Sequence, residues 1–187
     1  SGECKLVKVT DPTGSVTVLP GALMIDFEIY FTAVDRYPTA EQRLAVNITG
    51  AVIANTAKAY SVPFTDIEIT DTTIGVVGGV PPWVTLDLRG LTNSSIAVRR
   101  AAIHSSEMGV QLYNVFNTTV DIADSVVDAS FKDPEQWEET KYAVRVMNAD
   151  NAVVSLTNNT LVATDAYEDD ACFPIYLYNL ERSLATV

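Results

Sequence analysis

Displaced by 24 residues, the chain lands on itself. Leu86-Asp87-Leu88-Arg89-Gly90-Leu91-Thr92-Asn93-Ser94-Ser95-Ile96-Ala97-Val98 falls on Val110-Gln111-Leu112-Tyr113-Asn114-Val115-Phe116-Asn117-Thr118-Thr119-Val120-Asp121-Ile122. A further displacement of 34 lays Val110, Leu112, Asn114, Asn117, Val120 and Ile122 on Val144, Val146, Asn148, Asn151, Val154 and Leu156. A last partial copy sets Ile175, Leu177 and Asn179 where Val144, Val146 and Asn148 stand. Upstream, Ile67, Ile69 and Ile74 match Ile96, Val98 and Ile103 at a displacement of 29, and Val46, Ile48 and Gly50 align with Leu86, Leu88 and Gly90. A unit this short cannot bury an apolar face alone, so neighbouring copies have to stack on one another.

Inside each copy the apolar residues alternate, as in Val84-Thr85-Leu86-Asp87-Leu88, Ile96-Ala97-Val98, Val120-Asp121-Ile122 and Val144-Arg145-Val146. Short runs of period two, rich in Val, Ile and Thr and punctuated by Asn, Gly and Asp, are strands. Only the stretch Pro134-Glu135-Gln136-Trp137-Glu138-Glu139 reads as helical, with Asp133 as N-cap and Pro134 at the first helical position. The chain is therefore predicted to be all-β. Its 187 residues, 48% of them apolar, make one domain able to bury a core without a disulfide framework or structural metal.

A unit of about 24 residues with three short strands resembles one coil of a right-handed parallel β-helix, as in the pectate-lyase-like superfamily. The resemblance covers Leu44 to Val187 and implies a solenoid whose inward residues form columns. It also implies ladders of stacked asparagines, for which Asn114, Asn148 and Asn179 stand at one repeat position, with Gly90 in the neighbouring copy. Asn and Gly tolerate the left-handed backbone that such a tight turn needs. The expected organisation is an irregular N-terminal cap over residues 1–43 and β-helix coils over 44–187, with insertions at 131–140 and 164–174. The rival fold is a β-sandwich of short strands, which would show turn signals without a column-by-column copy.

Composition narrows the partners. Twelve Lys and Arg against 24 Asp and Glu leave a net charge of -12, which disfavours nucleic acid and anionic membranes. No apolar run approaches the roughly 20 residues that span a bilayer. The single histidine, His104, matches Asp128 in the next copy, without a nucleophile signature around it. Cys4 and Cys172 lack metal-like spacing.

Outward positions carry the candidate chemistry. Asp87, Gln111, Arg145 and Tyr176 form one expected column, and Arg89, Tyr113, Met147 and Tyr178 another. Strands about 4.8 Å apart turn such columns into a polar-aromatic strip, suited to sugar rings and their hydroxyls. Both insertions enter just before this strand and bring Trp137 and Tyr167 to its edge. An ordinary solvated face explains the same residues. Asp165, Glu168, Asp169 and Asp170 are oxygen ligands that would suit Ca²⁺, against the alternative of a solvated acidic loop. Asn47, Asn93, Asn117 and Asn158 begin Asn-x-Ser/Thr sequons, and Asn93 and Asn117 share one repeat position.

The expectation is a non-catalytic extracellular or cell-surface β-helix domain for adhesion, glycan contact or scaffolding, in a larger surface protein or assembly. The repeats, with Asn-Thr-Thr-Val and Asn-Asn-Thr-Leu-Val-Ala, resemble in texture large β-helical surface proteins of protozoa and bacteria. One alternative is a polysaccharide lyase or glycoside hydrolase of β-helix type. The Asn-x-Asp, Asp-Asp, His-Gly and Arg-x-Lys set of the polygalacturonase relatives is not seen here, and Asp121, Asp124, Asp128 and Arg145 fall in different columns. Another alternative is a structural subunit stacking end to end, because Val187 falls inside a repeat and that end would need a partner subunit or further chain.

Overall fold

A computed structural model of the chain describes residues 4–10, 14–30, 39–75, 81–131, 140–164 and 171–187. The expected helix around Pro134 lies outside them. The strands are β1 (Cys4–Thr10), β2 (Gly14–Val18), β3 (Leu23–Tyr30), β4 (Leu44–Thr49), β5 (Val52–Ile53), β6 (Ala57–Tyr60) and β7 (Thr65–Thr70). There follow β8 (Thr73–Ile74), β9 (Val84–Arg89), β10 (Ser95–Arg99), β11 (Ala102–His104), β12 (Met108–Phe116) and β13 (Thr119–Ala123). The last are β14 (Val126–Asp128), β15 (Lys141–Asp150), β16 (Val153–Thr157), β17 (Thr160–Val162), β18 (Cys172–Glu181) and β19 (Leu184–Thr186). The one helical element among the described residues is a 3-10 turn, Ala40–Gln42.

The protein is all-β, with two parallel sheets, an arrangement compatible with a β-helix. One sheet runs β19-β16-β13-β10-β7-β4-β2. The other runs β17-β14-β11-β8-β5-β3-β6-β9-β12-β15-β18, with β1 on β3. Each strand after β7 therefore pairs with the strand three elements further on. The second sheet bends at β3, whose Leu23 and Met24 pair with β5 while Phe27 to Tyr30 pair with β6. The chain over residues 14–30 already follows this path, since β2 pairs with β4 in register.

Pairing brings the repeated residues together. Ile67, Ile96, Val120 and Val154 are joined in one row across β7, β10, β13 and β16. Leu88, Leu112, Val146 and Leu177 form another across β9, β12, β15 and β18. The inward members of these rows form one continuous apolar core. The upstream strands stack differently from the alignment expected for Val46 and Ile48. Val46 and Ile48 stand beside Ile67 and Ile69, not in the Leu86 and Leu88 rows. Those rows continue upstream through Ala57 and Ala59. The alanine methyls are too small to mark a hydrophobic period, and they leave a cavity of about 10 Å³ lined by Phe27, Ile29, Leu86 and Leu88.

Three turn columns close each repeat, and they hold every described non-glycine residue with positive φ. The first runs through Ser61, Gly90, Asn114, Asn148 and Asn179, the second through Phe64, Asn93, Asn117, Asn151 and Arg182. The third contains Gly50, Asp71, Arg100, Asp124 and Asn158. In the first column Asn179 Nδ2 donates to Asn148 Oδ1 at 3.0 Å, and Asn148 Nδ2 to Asn114 Oδ1 at 3.0 Å. In the second, Asn151 donates to Asn117 at 3.0 Å, and Asn117 to Asn93. The third substitutes charge for amide: Arg100 Nε donates to Asp71 at 2.7 Å, and Asn158 to Asp124 at 2.7 Å. The bonded Asn and Asp side chains thus satisfy one another while their backbones sit in the left-handed region that both residues tolerate.

Candidate functional site

The outer face of β6, β9, β12, β15 and β18 carries the strip. Register places Lys58, Asp87, Gln111, Arg145 and Tyr176 in one row, and Tyr60, Arg89, Tyr113, Met147 and Tyr178 in the next. A third row, Val84-Met108-Tyr142-Phe173, was not foreseen. It lies three residues before the Asp87 row rather than two. The pairing skips Gly109 and Ala143, so Ala143 and Val144 both point inward and Tyr142 emerges on the outer face. A Cβ on Gly109 would stand 2.3 Å from Val127 Cγ1 and 2.8 Å from the Ala143 carbonyl, so only glycine fits that close approach. The signal available in the sequence was the Gly109/Ala143 pair of small residues at one repeat position, where alternation fails.

At its middle the strip is built around a buried carboxylate. Asp87 is 2% exposed. Its Oδ2 accepts from the Tyr60 hydroxyl at 2.6 Å, and its Oδ1 accepts from Arg89 Nε at 2.7 Å and Gln111 Nε2 at 3.3 Å. A buried carboxylate needs this many donors, because burying an unpaired charge costs several kcal/mol. Burial, helped by the bond to Asp87, pushes the Tyr60 phenol well above its ordinary range. The Asp87 carboxylate in turn raises the Arg89 guanidinium. Arg89 also lies 5.4 Å from the centre of the Tyr60 ring, so the four groups brace one another.

Towards β18 the strip becomes aromatic. Tyr142 packs in parallel against Phe173 at 5.8 Å and edge-on against Tyr176 at 5.2 Å. Tyr176 and Tyr178 lie parallel at 6.4 Å, and Tyr178 is 54% exposed. Arg145 lies over Tyr142 at 5.0 Å, and its Nη1 donates to the Met108 thioether at 3.2 Å. Trp83, half exposed, precedes the third row and is a further aromatic that the sequence reading passed over.

Several candidates fall elsewhere. Trp137, Tyr167, Asp165, Glu168, Asp169 and Asp170 lie outside the described residues. Among the described residues there is no group of three or more His, Cys, Asp or Glu arranged for a metal. Buried Lys141 donates to the backbone carbonyls of Ser106 at 2.9 Å and Phe131 at 2.7 Å, fixing the chain where the first insertion leaves the sheet. His104 stands beside Asp128 in register and edge-on to Phe131 at 5.8 Å, away from the strip. Cys172 is a free thiol beside Lys141 in register.

Of the sequon asparagines, Asn93, Asn117 and Asn158 sit in turn columns. Asn117 and Asn158 commit their Nδ2 to ladder bonds. Asn47 projects from β4, between Thr17 and Glu68. No described helix is long and apolar enough to cross a membrane. No family model, curated protein or solved structure matches the chain. The geometry of the strip therefore carries the functional argument by itself.

Proposed function

We propose that the chain is a right-handed parallel β-helix with coils of about 24 residues, serving as a non-catalytic adhesion or scaffolding domain at the cell exterior, and that its strip contacts a glycan. The fold reading is supported by partners recurring at separations of 24, 34 and 31 residues, each one strand further along a parallel sheet. The observation that carries the functional reading is the strip itself: three rows in register, aromatic towards β18 and braced in the middle by buried Asp87. Ring faces offer C–H contacts to sugars, and planar amide and guanidinium groups offer hydrogen bonds to hydroxyls. All contacts come from strands in a continuous ladder, so little order has to be imposed on binding. Asp87 supports a binding role over an acid–base one, since both its oxygens already accept bonds.

A glycan array, read with and without Ca²⁺, tests the proposal. The expected result is a restricted set of bound sugars, lost when Tyr113→Ala and Tyr176→Ala are combined. Binding that survives both substitutions would sink the strip as the contact surface. Product release from a polysaccharide in a depolymerase assay would overturn its non-catalytic character. Under this proposal Asp165, Glu168, Asp169 and Asp170, outside the described residues, are the candidate Ca²⁺ ligands that a Ca²⁺-dependent array signal would point to.

A further inference from the structure

Among the described residues, the outer face of the strip holds one cation with no carboxylate against it. From β6 to β18, Lys58 lies 3.4 Å from Glu28 and Arg89 is bonded to Asp87, so those charges cancel. Every other arginine among the described residues sits against an aspartate: Arg43 on Asp66, Arg99 on Asp121, Arg100 on Asp71 and Arg182 on Asp150. Among the described arginines, Arg145 alone has no described carboxylate against it. Its Nε is buried with no hydrogen-bond partner, and the one acceptor of its Nη1 is a thioether, which is weak. In a chain with twice as many acids as bases, leaving a guanidinium without an acid is the exception, and it occurs beside the rings of Tyr142 and Tyr176.

We infer that Arg145 is the anchor for a single anionic substituent, a carboxylate or a sulfate, on the glycan that lies along the strip. The inference rests on the glycan reading above and gives it a substrate class. Tyr142 packs against one side of the guanidinium, and Tyr176 is its neighbour in the next strand of the row. A sugar ring on Tyr176 or Tyr178 would carry its acidic group towards the half-buried Arg145. The guanidinium fork then forms charge-assisted hydrogen bonds, which neutral hydroxyls cannot match. The chain's net charge of -12 repels anions from afar, but salt at physiological strength screens that field beyond about 8 Å. A contact anchor therefore selects anionic ligands that the rings have already docked.

The test uses the full chain on an array of hexose oligosaccharides of equal length in matched neutral, uronate and sulfated forms. Titration of the bound members then compares Arg145→Gln with Arg145→Lys. One charge-assisted bond is worth about tenfold or more in affinity. We expect an anionic form to bind at least about tenfold tighter than its neutral counterpart. Arg145→Gln should abolish that preference, bringing anionic and neutral forms to equal affinity, and Arg145→Lys should restore part of it. The uronate and sulfated arms show which anion is preferred. Equal binding of neutral and anionic forms, or an anionic preference that persists in Arg145→Gln, overturns this inference alone. Binding to no member defeats both this inference and the glycan reading.

Discussion

The asparagine ladder beside the strip can be taken apart at its middle rung. Asn148 accepts a bond from Asn179 and donates one to Asn114, both at 3.0 Å, while its own backbone has a φ of 55°. Two substitutions separate these duties. Asn148→Gly keeps the turn relaxed and removes both bonds. Exposed side-chain bonds fall at the low end of the usual range, so the pair contributes about 1 kcal/mol. Asn148→Ala removes the same bonds and keeps a Cβ in the left-handed region without the polar side chain that lets Asn tolerate it, so it should cost about 1–2 kcal/mol more than glycine. The expected losses are therefore about 1 kcal/mol for glycine and about 2–3 kcal/mol for alanine. At about 2–4 °C per kcal/mol for a chain of this size, the Tm should fall by about 2–4 °C and about 4–12 °C respectively. Urea midpoints followed by circular dichroism provide a second readout. If alanine and glycine cost the same, the turn is not left-handed. If neither changes stability by more than about 0.5 kcal/mol, the ladder bonds contribute nothing and the stacking argument fails.

Other outcomes follow from the strip. Asp87→Ala strands the Tyr60 hydroxyl, the Gln111 amide and the Arg89 guanidinium, and should destabilise by about 3–5 kcal/mol; a urea midpoint within error of wild type would refute the brace. Gly109→Ala drives a Cβ against the Ala143 carbonyl, so it should cost about 1–3 kcal/mol of overpacking and move the Tyr142 row, visible as altered near-ultraviolet circular dichroism. The Tyr60 phenol is raised in the folded state, so its contribution is intact below the unfolded value of about 10 and declines as pH climbs from there towards the folded value. Thermal melts should fall more steeply above about pH 10 in wild type than in Tyr60→Phe, and parallel curves would show that Tyr60 does not titrate this way.

How much of this was legible in the sequence depends on side-chain size. The rows built from Val, Ile and Leu were readable because large apolar residues recur at matched positions, and so was the first asparagine column. The upstream end was misaligned because Ala57 and Ala59 hold the places that Leu86 and Leu88 hold downstream. The third turn column escaped notice because its members are chemically unlike one another: glycine, aspartate, arginine and asparagine share only a positive φ. The pair between Arg100 and Asp71 performs the task that two asparagines perform elsewhere. In the strip, the two rows at even spacing from Leu88 were evident. The Tyr142 row was hidden by the irregular step at Ala143, which shifts its spacing from two residues to three. The brace on Asp87 needs Tyr60, from a strand whose repeat had been lost in the alanine segment.

Hydrogen–deuterium exchange, read by mass spectrometry on the full chain with a bound array oligosaccharide, tests the central claim most directly. The account predicts added protection confined to β12, β15 and β18, the strands that carry Gln111, Tyr113, Arg145, Tyr176 and Tyr178, with the opposite sheet unchanged. Protection centred on β10, β13 and β16 instead would place the ligand on the other sheet and contradict it.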